Sequence, residues 1–274
     1  MRRARLAAAQ TEVRAGDKEY NLSRIEALAE QAGDQHVDLV CFPEMALTGS
    51  THGQVDLAEP IPGPATARLS ATARRHHLWM VVGMLEADPD GGRPRNSAVV
   101  LDPEGEVRAV YRKVFLYLGE RDSCEPGREP CLVDLPFGRV AVTICYDYIF
   151  PSYIAGLVDR GAEVILHATA WVNTRTCTEL RYNTGAYRAV GIARAAENTV
   201  WVVSANQYGR YDAAGELWGL GQSAIIAPWA EILAEVVAGE GLAVAEVDLD
   251  AVQVWRERAA PYLEDRRYID PWAG

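Results

Sequence analysis

Lysine is nearly missing from this chain: of 27 basic residues, only Lys18 and Lys113 are lysines. A lysine kept inside "VYRKVFLY" therefore draws attention, because an ammonium is a compact point charge that a planar guanidinium does not replace. Positive charge is scarce overall, with 27 Lys and Arg against 38 Asp and Glu and a formal net charge of −11. That balance argues against a nucleic-acid partner, which would need clustered cations. Long apolar runs are also lacking. The basic start "MRRARLAAAQTE" has an apolar stretch only from Leu6 to Ala9, too short for a signal-peptide core, and no run approaches a membrane span. A cytoplasmic protein handling small molecules is expected, with neither nucleic acid nor membrane as partner. Cysteines stand at 41, 124, 131, 145 and 177, an odd number without a CxxC pair. This excludes the usual disulfide framework and the usual zinc spacing, and leaves free thiols.

What is present alternates. "RLAAAQ" precedes a helical pattern from about Asn21 that places Leu22, Ile25, Leu28, Ala29 and Ala32 on one face, and "VDLVCF" follows. A second unit has a helix over residues 65–77 and then "LWMVVGM" from Leu78. "NSAVVLDPEGEVRAVYRK" reads as a hairpin turning at "DPEG". Later come "RVAVTIC", a helix over 151–160, "EVILHA", a long helix ending near Asn198, "VWVVSAN", and a β-rich close over 223–247. This pattern predicts an α/β protein. No linker, repeat or composition break divides it, so residues 1–274 are expected to form one domain. The stretch from about 255 to 274 mixes aromatic and charged residues with two prolines and reads as a tail packing across a surface, at a subunit interface.

Three familiar patterns do not hold. "GLGQSA" at 219–224 fits a dinucleotide fingerprint only if a helix follows, and "IIAPWAEIL" instead reads strand, turn, strand. No cofactor is expected. His76 and His77 are adjacent, while His36, His52 and His167 stand alone, so no metal site is expected. A Cys-His hydrolase would need one of these histidines beside Cys145, and the glycines of a nucleophile elbow are absent around "TICYD".

Three positions each follow an apolar strand pattern: Glu44 in "VCFPEM", Lys113 after "AVY" and Cys145 after "VAVTI". Singly, each is an ordinary residue after a strand. Together they place a carboxylate, an ammonium and a thiol at strand ends, where sites gather in sheets of this kind. "FPEMALTG", "YRKVFLY" and "ICYDYIFP", in that order, resemble the three catalytic blocks of the nitrilase superfamily, the carbon-nitrogen hydrolases with a Glu, Lys and Cys triad. "ATAW", "ARAAENTVWVVSANQYG" and "GQSAIIAPWAEIL" resemble later blocks, so the likeness spans the chain.

The resemblance implies a four-layer α-β-β-α sandwich, assembled as a homodimer or larger homo-oligomer. It implies an amidohydrolase, on the amidase and carbamoylase side because the chain reads "CYD", cleaving a small linear amide or N-carbamoyl compound through a cysteine thioester. In that chemistry Cys145 is the nucleophile, Glu44 the proton carrier, and Lys113 stabilises the oxyanion alongside the backbone N–H of Tyr146. The family's second glutamate is carried to Glu120, with Glu125 as competitor. Trp171 is a candidate pocket wall and Arg175 a candidate carboxylate anchor, each with core packing or plain surface exposure as the alternative. Nitrile hydrolysis or acyl transfer would use the same triad. A relic binding protein is the reading from another class, motivated by Ile149 and Ser152 where relatives carry arginine and glutamate; Phe115 likewise stands where many have histidine.

Overall fold

The computed structural model describes residues 2–49, 55–179, 185–210, 217–261 and 263. In chain order the elements are β1 (Arg3–Glu12), α1 (Lys18–Asp34), β2 (Leu39–Cys41), α2 (Pro64–His76), β3 (Trp79–Glu86), β4 (Arg95–Leu101) and β5 (Val107–Arg112). Then follow α3 (Glu120–Ser123), β6 (Cys131–Leu135), β7 (Gly138–Ile144), α4 (Pro151–Asp159), β8 (Val164–Thr169), β9 (Val172–Thr174) and α5 (Arg175–Glu179). The chain ends with α6 (Gly185–Asn198), β10 (Trp201–Arg210), β11 (Leu217–Leu220), β12 (Ser223–Ile226), β13 (Ile232–Val236), β14 (Gly241–Asp248) and α7 (Leu249–Arg258).

The strands pair into one 14-stranded sheet that divides into two slabs, the two sheets of the fold. One runs β5-β4-β3-β2-β1-β14 and the other β6-β7-β8-β10-β12-β13, with β11 on β10 and β9 on β11. They join where β1 meets β10, through Thr11 opposite Gln207 and Glu12 opposite Tyr208. Side-chain alternation shows why the strands read as almost continuously apolar. On β1, Leu6 and Ala8 face the core between the sheets, whereas Ala7 and Ala9 face the helices α1 and α2. On β8, Leu166 and Ala168 face the other sheet while Ile165 faces α4 and α6. Three apolar cores therefore separate four layers, helices outside and sheets inside, the α-β-β-α sandwich.

Local chemistry sets the boundaries. α1 begins at Lys18, earlier than its apolar stripe, because the Asp17 carboxylate accepts from the N–H of Tyr20 at 3.1 Å and caps the helix. β6 pairs antiparallel with β7 through a tight turn, Leu135 opposite Gly138, and adds an edge strand that periodicity did not separate from its loop. In the expected C-terminal tail, α7 runs to Arg258; residues 262 and 264–274 lie outside the described residues. "GLGQSA" spans β11, a turn and β12, with β12 and β13 antiparallel.

Candidate active site

The chain leaves β2 through Pro43 and turns sharply at Glu44, with Met45 in the left-handed region at φ +49°. Gly83 on β3 makes room for this turn. A Cβ there would sit 2.4 Å from the Pro43 carbonyl oxygen and 2.7 Å from the Glu44 Cα. Gln207 donates from Nε2 to the Glu44 backbone oxygen at 2.7 Å, and the N–H of Ala170, just past β8, donates to Glu44 Oε2 at 2.9 Å. The carboxylate of the first sheet is thus gripped by backbone from the second.

Lys113 follows β5 directly. Its backbone N–H donates to the Asn96 carbonyl at 2.9 Å, and its own carbonyl accepts from Gly127 at 2.8 Å. Gly127 also needs to lack a side chain, since a Cβ would fall 2.0 Å from the Arg112 carbonyl oxygen. The Lys113 side chain is buried, and Nζ donates to Glu44 Oε1 and to Glu120 Oε2, both at 2.7 Å. Asn96 completes a ring. Its Nδ2 donates to Glu44 Oε1 at 2.7 Å and to Glu120 Oε1 at 2.6 Å, and only an amide nitrogen facing both carboxylates makes that possible. Tyr117 N–H adds a bond to Glu120 Oε2 at 2.8 Å. Burial pulls the Lys113 ammonium down, but the negative charges of Glu44, an ionised Cys145 and Glu120 together outweigh it and hold its pKa well above the ordinary lysine value.

Cys145 opens a short 3-10 turn at the end of β7 with φ +44°, a conformation that non-glycine residues seldom adopt and that clusters at functional sites. Burial, then the charge of Glu44, push its thiol pKa up, while Lys113 opposes them. The thiol, the ammonium and the carboxylates therefore act on one another. The turn itself is held from several sides. Asp147 accepts from the N–H of Ile144 at 2.8 Å, the N–H of Phe115 at 3.0 Å and the Tyr111 hydroxyl at 2.7 Å. Arg194 on α6 donates to the carbonyls of Tyr148 and Ile149 at 2.8 and 3.3 Å. Phe115 stacks on Phe150 at 3.9 Å, Tyr146 packs edge-on against Phe150, and Tyr117 leans on Tyr146. Aromatic packing, Asp147 and Arg194 hold the turn here, while Ser152 and Ile149 face solvent.

The remaining candidates separate. Trp171 follows Ala170, donates its N–H to Asn206 Oδ1 at 2.9 Å and lies 5.3 Å from the Tyr187 ring, beside the Glu44 carboxylate's backbone donor. Arg175 is 79% exposed and pairs with Glu179 one helical turn on, at 3.3 Å. Of the two acids after the lysine, Glu120 lies on Lys113, and Glu125 pairs with Arg93 at 2.8 Å. His167 is buried under Tyr148, bonded to Thr143, and kept neutral by burial at a pKa of about 3. His52 lies outside the described residues, among which no acid, histidine or cysteine cluster suits a metal. Sequence reasoning missed Asn96, Gln207 and Tyr111; the one signal was a lone Asn opening the apolar run "NSAVV".

A carbon-nitrogen hydrolase family model matches residues 5–257. An (R)-stereoselective amidase from Pseudomonas sp is 34% identical over 259 residues, 93% of this chain and 89% of that protein. A nitrilase from Pyrococcus abyssi is 37% identical over 247 residues, 86% of this chain and 87% of its own length. Among solved structures, an amidase from Nesterenkonia sp. AN1 in complex with butyramide superposes with a TM-score of 0.77 at 26% identity, covering 97% of each chain. In another structure of that amidase, acrylamide has added to the active-site cysteine.

Proposed function

The chain belongs to the carbon-nitrogen hydrolase family, and from that premise we propose that it hydrolyses a small linear amide or N-carbamoyl compound through a thioester on Cys145. The observation that carries the reading is the buried ring of Glu44, Lys113 and Glu120, whose charges act on the Cys145 thiol. The Cys145 sulfur attacks the carbonyl carbon as its proton passes to Glu44. Two of the three Lys113 N–H groups bind Glu44 and Glu120, and the third serves the oxyanion with the backbone N–H of Tyr146. The C–N bond breaks as Glu44 returns the proton to nitrogen, releasing ammonia or an amine. Glu44 then takes a proton from water, hydroxide adds to the thioester, and the acid leaves as the thiol is restored. Glu120 orients Lys113 through their hydrogen bond, with Trp171 forming part of the pocket wall.

Ammonia release across short amides, carbamoyl amino acids and nitriles, with Cys145→Ser alongside, tests this directly. Wild-type turnover of amides with an acyl adduct on Cys145 in the mass spectrum is expected; no turnover, or turnover surviving in Cys145→Ser, would sink it. The Pyrococcus relative favours nitriles as the second substrate class, and acid formed from nitriles faster than from amides would make that reading the leading one. Added amine acceptors distinguish acyl transfer, which yields new amide rather than acid. Uniform slow iodoacetamide labelling of all five cysteines would favour the relic binding protein. The reading includes a cytoplasmic homodimer or larger assembly, its size measurable by light scattering.

A further inference from the structure

Asn96 is the first buried side chain of β4, and it touches every charged member of the ring: Glu44 and Glu120 through Nδ2, and Lys113 through its backbone carbonyl. The ring holds two carboxylates against one ammonium, so it carries net negative charge where water is scarce. Buried like charges at such range relieve themselves by taking up a proton that the pair then shares. A shared proton would disable Glu44, because a carboxyl group that already holds a proton cannot accept one from the thiol. Asn96 occupies the Oε1 oxygens on both acids with N–H donors, which favours the ionised form of each. With Oε1 of Glu44 taken by Lys113 and Asn96, and Oε2 taken once by Ala170, the open acceptor position on Glu44 lies on Oε2.

We propose that Asn96 is a positioning residue for the hydrolysis: its amide keeps the Glu44–Glu120 pair free of a shared proton, so that the thiol proton of Cys145 is received at Glu44 Oε2. The proposal rests on the reading of Glu44 as proton carrier. The groups that face this pair are Lys113 after β5, Cys145 after β7 and Cys124 at the end of α3, whose own thiol pKa is raised, first by burial and further by the charges of Glu120 and Glu44. Asn96 belongs to no motif in the sequence, and its role follows from geometry alone.

The test compares Asn96→Leu, Asn96→Ser and Asn96→Asp with wild type by the pH profile of kcat/KM and, in parallel, by the pH profile of Cys145 alkylation with iodoacetamide. In Asn96→Leu the acid limb is expected to move up by about one pH unit, so that activity falls by up to about tenfold at pH values below the limb and matches wild type above it, while KM stays near wild type. Asn96→Asp should move it further, and Asn96→Ser, which retains one short donor, less. The alkylation limb should move with it. A loss that is equal at every pH, or a lowered Tm with both limbs unmoved, would make Asn96 merely structural and overturn the proposal. Should Asn96→Leu fail to fold, Asn96→Ser carries the same comparison. Wild type that alkylates but hydrolyses nothing would instead strike at the amidase reading, leaving the alkylation limbs to judge Asn96.

Discussion

The two sheets bring different materials to the same place. From the first, and the loop leaving it, come Glu44, Asn96, Lys113 and Glu120, a ring of charge-assisted hydrogen bonds between 2.6 and 2.7 Å. The second contributes Cys145 on a turn packed with Phe115, Tyr146, Phe150 and Tyr117 and anchored by Asp147. The ring tolerates little change, because its N–H donors and carboxylate oxygens answer one another, the buried Asn96 Oδ1 excepted, and losing a donor leaves a buried charge unpaired. The turn has freedom in how it is built. The resemblance implies charged side chains around it, and this chain reaches a strained Cys145 with stacked rings and one carboxylate. The departures at Phe115, Ile149 and Ser152 fall on the tolerant side of that division.

Substitutions can break the contrast or sharpen it. Cys145→Ser should lower kcat by more than about 10³-fold while leaving Tm close to wild type, as expected for a nucleophile not needed for folding. Lys113→Met should damage both quantities: roughly 10²–10³ in kcat from the lost oxyanion donor, and about 3–5 kcal/mol of stability from two buried carboxylates without their cation. Denaturant titration beside steady-state kinetics separates the two, and a Lys113→Met protein of normal stability would show that the ring is not the rigid half.

Asp147 offers a smaller effect with a definite sign. Burial outweighs its three donors and raises its carboxyl to about 6, above the unfolded value. A raised acid means the native state holds the extra proton, so its stabilising contribution is present at low pH and is lost as pH rises from about 4 to about 6. Asp147→Asn should therefore reduce its stability deficit against wild type over that window, by on the order of 2–3 kcal/mol. His167, pushed down to about 3, works in the opposite direction in both proteins and cancels in the difference. A deficit that is flat with pH would show Asp147 already ionised throughout. Smallest of all, Arg175→Ala should change stability by less than about 0.5 kcal/mol. If it raises KM for substrates bearing a carboxylate and for no others, Arg175 is the anchor that its place in "NTRTC" allows.

Much of this was legible beforehand because Glu44, Lys113 and Cys145 each interrupt an apolar run just where the strand stops. Burial on both faces of a sheet strand makes such interruptions conspicuous, and the alternation of apolar runs with helical patterns predicted the α/β class, whereas the four-layer sandwich came from the family resemblance. Asn96 was not legible, because an asparagine at the head of a strand is ordinary until two carboxylates from distant segments arrive beside it. Gly83 and Gly127 were silent for a similar reason: what forbids a side chain there is backbone far away in sequence. β6 hid in a loop of mixed polarity, and α7 hid because the aromatic and charged residues that follow it dominated the reading of the C-terminal stretch.

The seam between the sheets has one more consequence. Base and sulfur ride on separate slabs whose strands pair at Thr11–Gln207 and Glu12–Tyr208, so their spacing records how the slabs are aligned, not whether either is intact. Warming that lets one slab slide would silence turnover while circular dichroism still sees native strands, and inactivation should precede melting. Coincident loss of turnover and of strand signal would mean the slabs move only by coming apart.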